Sequence, residues 1–124
     1  MTVSPTLHCV VLDCRDPYEL ARFYARLLGW AIEDRATPGD DWVVLVNPDG
    51  GADLAFQLDP EHQPSTWPSR ERAQMLHLDL EVADLDEGHR HAVEVGARPL
   101  DTAPETFRVY ADPAGHPFCL VRGT

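Results

Sequence analysis

The chain has 124 residues, enough for one compact domain with a hydrophobic core. Its 21 acidic residues against 10 basic ones give a formal net charge of −11, which opposes binding to nucleic acid or to anionic membranes. The longest apolar runs, such as 42–46, are too short to span a bilayer, and residues 1–5 lack the regions of a signal peptide. Three cysteines without a CxxC pair argue against a disulfide framework. We therefore expect a cytoplasmic protein with a neutral or cationic small-molecule ligand and neither nucleic-acid nor membrane partners.

The first half of the chain carries the signals of one strand, one helix and three further strands. The apolar, β-branched run 6–12 predicts a strand. A helix is predicted next, with Asp16 as its N-cap, Pro17 at its first position and Gly29 just past its end. Apolar residues follow helical spacing along it: Leu20, Phe23, Tyr24, Leu27 and Leu28. Three strands are predicted after it, at about 30–35, 41–46 and 53–58.

The second half repeats this plan after a polar, proline-rich segment. Residues 1–58 form the first predicted module, residues 59–72 the linker and residues 73–124 the second module. The second module restarts with a strand at 75–82, and its helix begins at the N-cap Asp84 and ends before Gly96. Its later strands are predicted at about 98–100, 106–111 and 117–122. The βαβββ plan thus occurs twice, which predicts a single α+β domain over residues 1–124.

A single helix covers only one face of a four-stranded sheet, so each module has a second face to bury or to use. We expect these faces to curl towards each other as one mixed sheet around a cleft. Side chains that point inwards would line this cleft, and such concave sites are where small molecules usually bind.

Each module begins its first strand with a histidine, His8 or His77, and equivalent inward residues of a repeat converge on its axis. The fourth strands add Gln57 and Cys119 as candidates for the same patch. This set is a weak one for a divalent cation, because Gln is neutral and Cys binds metal only as thiolate. The residues alone leave open whether the histidines form a ligand patch or are satisfied within the core. Asp79 is expected on a solvent side, but it shares the side of His77 and is a minor pocket candidate.

Four features resemble the vicinal oxygen chelate superfamily: the paired βαβββ plan, DPYELARFYARLLGW (16–30), LHLDLEV (76–82) and DPAGHPFCLV (112–121). That superfamily includes glyoxalase I, extradiol dioxygenases, fosfomycin-modifying enzymes and bleomycin-resistance proteins. The resemblance covers essentially the whole chain and is greatest to small glyoxalase-like domain proteins, which often share the linker Trp67-Pro68. It implies the glyoxalase/bleomycin resistance fold.

The resemblance also implies which residues would hold a metal. In the metalloenzymes of this superfamily the ligands come from the first and fourth strands of each half, which correspond here to His8, Gln57, His77 and Cys119. A carboxylate is expected at Cys119 and often at Gln57, so the chain departs from the pattern at both positions. Without that carboxylate, isomerase chemistry has no evident general base. A divalent metal (Zn, Ni, Fe or Mn) is therefore implied only for an enzyme.

Two functions compete on this basis. The leading hypothesis is a binding module that needs no metal and sequesters a planar or aromatic compound, such as an antibiotic or another natural product, by stacking on aromatic side chains. Trp42 and Trp67 are the candidate stacking residues, whereas Trp30 is expected in the core. The alternative is a divalent-metal-dependent lyase, isomerase or dioxygenase that uses His8 and His77. A third option is a vestigial cleft in a protein that acts through contacts with partners. Many relatives form dimers, so a homodimer is predicted.

The next-to-last strand leaves one choice of orientation open. Arg108 and Tyr110 alternate with Phe107 and Val109, so one of these two pairs must face the cleft. If it is the polar pair, Arg108 and Tyr110 would contact a carboxylate or carbonyl of the ligand, and both are included among the candidate ligand-binding residues.

Overall fold

The computed structural model describes residues 3–123, which form two βαβββ modules. The first module contains β1 (Cys9–Cys14), α1 (Pro17–Leu28), β2 (Ala31–Ile32), β3 (Trp42–Val46) and β4 (Asp53–Leu58). The second contains β5 (Leu78–Val82), α2 (Leu85–Val95), β6 (Arg98–Asp101), β7 (Phe107–Ala111) and β8 (Pro117–Arg122). The chain divides into two compact units between His62 and Gln63. The predicted α+β class and the twofold βαβββ repeat are confirmed.

The two sheets have the same topology. In the first the strand order is β1-β4-β3-β2, and in the second it is β5-β8-β7-β6. The first strand of each module runs parallel to the fourth, and the other neighbours are antiparallel. The helix after the first strand supplies the crossover that a parallel pair requires. The fourth strand of each module is therefore central, with the first strand at one edge.

Both helices begin and end where local signals predicted. The Asp16 carboxylate accepts a hydrogen bond from the backbone N–H of Glu19, and the Asp84 carboxylate accepts from those of Asp86 and Glu87. These bonds satisfy backbone donors that have no partner within the helix. At the other end of α1, Gly29 has a φ of 73°, in the left-handed region that glycine adopts without strain. Neither helix in the described part of the chain has the length and apolar character needed to cross a membrane.

The first module buries one face of its sheet against α1. Leu20, Phe23 and Tyr24 of the helix are buried, and the Tyr24 ring stacks on Phe56 of β4 with 5.7 Å between ring centroids. Val43 and Leu45 of β3 complete this core, at 1% and 0% exposure. The alternating side chains of the strands place them on this face.

In the second module α2 packs closely against its sheet at Gly88. A Cβ added at Gly88, the fourth residue of the helix, would lie 3.1 Å from Val82 and 3.2 Å from Leu120. The missing side chain therefore explains why a residue of low helix propensity stands in the helix interior. Tyr110 and Phe118 are fully buried beside it and stack with 5.5 Å between ring centroids.

The strand boundaries differ from the sequence prediction mainly at N-terminal ends. β1 begins at Cys9 rather than at residue 6, and β5 begins at Leu78 rather than at residue 75. For β1 the boundary is set by its partner strand β4. Because β4 begins at Asp53, which lies opposite Cys9, the residues before Cys9 have no strand to pair with. The predicted strand 30–35 is reduced to Ala31–Ile32 at the edge of the sheet.

Candidate functional site

The face of the second sheet that lies opposite α2, called here the helix-free face, carries the polar candidates. Asp79 of β5 and Val109 of β7 are the two partners of Cys119 across the central strand β8. Because directly paired residues point to the same side of a sheet, these three side chains share one face. Phe107 lies on it as well, opposite Val121.

Three ligating side chains meet on this face, and we call them the His77–Asp79–Cys119 cluster. The imidazole Nε2 of His77 lies 3.2 Å from Oδ1 of Asp79. The Cys119 thiol belongs to the same group, since one ligand atom from each residue lies within 4.8 Å of the others. His77 and Asp79 are exposed and Cys119 is buried. Among residues 3–123 this is the group of His, Cys, Asp or Glu side chains whose spacing suits a metal ion.

The Cys119 thiol is held in its neutral form. Burial, together with the charge of Asp79 and the hydrogen bond to its carboxylate, raises the pKa of Cys119 to about 11. A thiol with that pKa is protonated at neutral pH and is a poor nucleophile. The cluster thus presents one thiol donor, one carboxylate acceptor and one imidazole, which suit hydrogen bonding to a ligand or, after loss of the thiol proton, metal binding.

A depression of about 410 Å³ surrounds the cluster. Its lining combines an aromatic ring, apolar groups and the three ligating side chains: His77, Asp79, Thr106, Phe107, Cys119 and Val121. Phe107 is 39% exposed, so a substantial part of its ring faces solvent. Apolar surface with a few convergent polar groups is the usual composition of a small-molecule site. The lining contains a carboxylate and no arginine or lysine.

Arg108 and Tyr110 point to the other side of the sheet, towards α2. The Arg108 guanidinium donates to the backbone carbonyl of Leu85 and to the Asp86 carboxylate, 2.8 Å away. The Tyr110 hydroxyl lies 2.8 Å from Nδ1 of His89. Phe107 and Val109 are therefore the residues of β7 that point to the helix-free face. Arg108 and Tyr110 point to α2 and do not reach a ligand on the helix-free face.

In the first module, Trp42 and Gln57 lie directly opposite each other on β3 and β4. Gln57 also lies opposite Asp13 of β1, so these three side chains share the helix-free face of the first sheet. Trp42 is 46% exposed. His8 stands just before β1 and is exposed, and its backbone carbonyl accepts a hydrogen bond from the N–H of Asp53.

The predicted equivalence of the two histidines is wrong by one residue. Asp16 and Asp84 both cap a helix, and each follows a first strand that ends two residues earlier. Counting back seven residues from each cap pairs His77 with Cys9, not with His8. The first module therefore has one residue more between His8 and its cap Asp16 than the second has between His77 and Asp84.

The predicted equivalence of Gln57 and Cys119 in the fourth strands is also wrong, by two residues. Asp79 lies opposite Cys119, and the corresponding pair of the first module is Val11 opposite Ala55. Gln57 therefore corresponds to Val121 rather than to Cys119. The four residues that the resemblance implied as ligands therefore do not occupy equivalent positions in the two modules. The first-module pair that corresponds to Asp79 and Cys119, Val11 and Ala55, is apolar. The ligand roles of His8 and Gln57 stay predictions.

The remaining tryptophans, Trp30 and Trp67, lie outside the strands that carry these side chains. Trp67 is half-buried in the segment before β5, and its backbone N–H donates to the Ser65 hydroxyl. It does not belong to the described residues that line the depression. Trp30, between α1 and β2, is also half-buried. Neither position tests the prediction that Trp67 contacts a ligand.

Sequence reasoning gave Asp79 only a minor place and left the role of Phe107 open. A usable signal was present for Asp79, which follows His77 by two residues, so that both lie on one side of an extended chain. Phe107 alternates with Arg108, and its side became clear only from the contacts of Arg108 and Tyr110 with α2. Strand alternation groups residues into two sets, but it does not say which set faces the helix.

The family model described as "Glyoxalase-like domain" matches residues 9–121. Comparison with curated protein sequences gives no match.

Solved structures share the fold over nearly the full chain. A glyoxalase/bleomycin resistance protein/dioxygenase family enzyme from Burkholderia phytofirmans PsJN superposes with a TM-score of 0.74 at 17% identity, covering 95% of this chain and 98% of that one. A glyoxalase/dioxygenase from Nostoc punctiforme gives 0.70 at 19% identity, covering 100% and 97%. The fosfomycin resistance protein FosX from Listeria monocytogenes gives 0.70 at 15% identity, covering 99% and 96%.

Proposed function

Since the chain belongs to the glyoxalase-like domain family of the vicinal oxygen chelate superfamily, we propose that it binds a planar or aromatic small molecule on the helix-free face of its second module. The depression around the His77–Asp79–Cys119 cluster is the observation that carries this proposal. The Phe107 ring offers a stacking surface there, and the polar side chains beside it would fix the orientation of the ligand. Binding without turnover would sequester the compound, as expected of a resistance protein.

The charge of the site indicates which planar compounds it would accept. The chain carries a net charge of −11, and Asp79 is the acidic side chain of the depression. Glu81 lies two residues further along the same face of β5. A neutral or cationic ligand therefore meets a favourable field, whereas an anion is repelled. FosX is a fosfomycin resistance protein, but a small phosphonate anion does not suit this lining.

Trp42 is a second stacking candidate, in the first module. It occupies the position of β3 that corresponds to Phe107 in β7, because Trp42 lies opposite Gln57 and Phe107 opposite Val121. Both rings are partly exposed, at 46% and 39%. An exposed aromatic ring at the same place of both modules supports a role in ligand contact for each.

A titration with proflavine, a planar aromatic cation without chelating groups, tests the proposal. We expect its fluorescence to change with saturation, and we expect Phe107→Ala to weaken binding at least about fivefold, because stacking contributes about 1 kcal/mol beyond area burial. Val93→Ala is the matched control, since Val93 is an exposed apolar residue of α2 in the same module. Fluorescein, a planar anion, is expected to bind far more weakly. Saturable proflavine binding that Phe107→Ala leaves unchanged would contradict the proposal.

The alternative, a metal-dependent lyase, isomerase or dioxygenase, is favoured by one observation, the His77–Asp79–Cys119 cluster. Asp79 places a carboxylate next to Cys119, where the resemblance led us to expect one. His77 and Asp79 could therefore accept a substrate proton. Metal content and turnover of α-hydroxythioester or hemithioacetal substrates in the wild type and in His77→Ala would test this alternative. Turnover that is lost in His77→Ala would favour an enzyme over sequestration.

A further inference from the structure

We infer that two copies of this chain associate through an antiparallel contact between α1 of one copy and α2 of the other. The two helices hold the same place in the two modules, but their exposed faces carry different charges. When α2 is taken in the reverse direction, its charges are opposite to those of α1 at the matching positions. The contact uses the exposed sides of the helices, so it goes beyond the ligand-binding proposal and does not depend on it.

The exposed face of α1 carries one acidic and two basic side chains. Glu19, Arg22 and Arg26 follow one another at intervals of three and four residues, which places them in one row along the helix. All three are exposed, whereas the apolar side of the helix is buried. Arg22 lies 3.3 Å from Glu19, and among residues 3–123 no ion pair holds Arg26. From the N-terminal to the C-terminal end the charges are therefore negative, positive and positive.

The exposed face of α2 carries the complementary charges in the opposite direction. Asp84, Glu87, Arg90 and Glu94 form one row that starts at the N-cap, with intervals of three, three and four residues, and all four are exposed. In the described part of the chain neither Glu87 nor Glu94 has an ion-pair partner. From Arg90 back to Asp84 the charges are positive, negative and negative.

An antiparallel alignment of the two rows brings opposite charges together at three positions: Glu19 with Arg90, Arg22 with Glu87, and Arg26 with Asp84. At a rise of about 1.5 Å per residue the charges are about 4.5–6 Å apart along α1 and about 4.5 Å apart along α2, so the rows stay in register to within about 1.5 Å. The same alignment directs Glu94 towards the exposed Arg15, which precedes α1. Charged residues that flank a helix pair in this way determine its partner and its orientation.

Contacts between two identical helices are less complementary. Two antiparallel copies of α1 pair Glu19 of each with Arg22 of the other but leave both Arg26 side chains without an acidic partner. Two antiparallel copies of α2 place Glu94 of each beside Asp84 of the other, so that acidic residues face each other. Like charges in a contact disfavour the wrong pairing. The charges therefore favour α1 against α2.

The net charge of the chain determines the conditions under which this contact forms. Two copies with a charge of −11 each repel one another at long range. At physiological salt the Debye length is about 8 Å, so the long-range repulsion is largely screened while charges in direct contact still interact. Because single exposed ion pairs contribute little, we expect a weak association that appears at high protein concentration. The contact joins two different surfaces, so it either closes as a dimer with two such contacts or continues into longer chains.

Sedimentation velocity of the full chain, from micromolar to millimolar concentration at physiological salt, tests the inference. We expect the average mass of the wild type to rise with concentration. The variant Arg22→Glu/Arg26→Glu makes the α1 row acidic, and Glu87→Lys/Glu94→Lys makes the α2 row basic. Each variant alone should associate at least about tenfold more weakly, because like charges then face each other.

A mixture of the two variants separates this contact from one between identical helices. It should associate again, because one variant retains the original α1 and the other retains the original α2. The matched control is Arg35→Glu/Arg70→Glu, which reverses two exposed arginines outside both helices and changes the net charge as much as the α1 variant does. This control should associate as the wild type does.

Several outcomes would overturn the inference. It fails if the folded wild-type chain stays monomeric at millimolar concentration, or if either helix variant associates as the wild type does. It also fails if the mixture associates no better than the separate variants, or if the control loses association. Circular dichroism of each variant shows whether a loss reflects unfolding. Because no ligand is present, this result is independent of the proflavine titration.

Discussion

The turn before β8 holds a glycine that the structure makes hard to replace. Gly115 has a φ of +86°, and a Cβ added there would lie 2.1 Å from Cβ and 2.8 Å from Cα of Pro64. Gly29 is the natural control, because its φ is +73° but its added Cβ would meet nothing within 4 Å. Comparing Gly115→Ala with Gly29→Ala therefore separates the contact with Pro64 from the cost of the backbone conformation.

The expected magnitudes follow from those two terms. A left-handed conformation costs an Ala residue about 1–2 kcal/mol, which is the whole effect expected for Gly29→Ala. Gly115→Ala adds an overpacking cost of about 1–3 kcal/mol, because the 2.8 Å approach is to the backbone of Pro64 and no rotamer change relieves it. The total is about 2–5 kcal/mol. At roughly 4 °C per kcal/mol for a domain of this size, Tm should fall by roughly 8–20 °C for Gly115→Ala and by roughly 4–8 °C for Gly29→Ala.

Urea denaturation and thermal melts of the three proteins, followed by circular dichroism, measure the difference. Pro64→Gly combined with Gly115→Ala removes the Cβ–Cβ contact and should recover part of the loss. If the Gly115→Ala protein is no less stable than the Gly29→Ala protein, the turn does not pack against Pro64 as closely as described. The position of the strand that carries Cys119 would then need to be reconsidered, since the turn leads directly into it.

Two further predictions concern side chains that hold turns and helix ends. Asp112 is 4% exposed, and its Oδ1 accepts hydrogen bonds from the backbone N–H groups of Ala114 and His116. Asp112→Ala should therefore lower the free energy of unfolding, measured in urea, by about 1–3 kcal/mol, whereas Asp112→Asn should stay nearer to wild type. An Asp112→Ala protein as stable as wild type would refute this. The Arg108 guanidinium, through its hydrogen bond and charge, lowers the pKa of Asp86 below its ordinary value of 3.8. The folded state thus gains stability above the unfolded pKa and loses it as the pH falls through the lowered folded value. Asp86→Asn should therefore lose less stability than wild type on acidification from about pH 5 to pH 2, and parallel acid profiles of the two proteins would contradict the assignment.

The elements of the fold were predictable because their signals are local. An N-cap Asp three residues before a backbone donor, an apolar stripe of helical period and a glycine past the last turn define α1 within one stretch of chain. The same holds for α2 from Asp84 to Gly96. Repetition of these local signals was enough to predict two βαβββ modules.

The candidate site depended on pairing between distant strands, which the sequence does not fix. An error of one residue in the first strand moved the proposed counterpart of His77 from Cys9 to His8, because the consecutive apolar residues Val10, Val11 and Leu12 show no alternation that would reveal such an error. For the same reason the side of Arg108 and Tyr110 stayed open until the contacts with α2 decided it.

The sequence by itself thus determined the family, the βαβββ repeat, the helix ends and the presence of His77 and Cys119 in one module. Only the tertiary structure decided that Asp79 stands opposite Cys119, with Phe107 beside them at a depression. Helix boundaries rest on interactions within a few residues of chain. The meeting of β5, β7 and β8 rests on hydrogen-bond registers between segments up to about 40 residues apart, and it is those registers that bring a thiol, a carboxylate and an imidazole together.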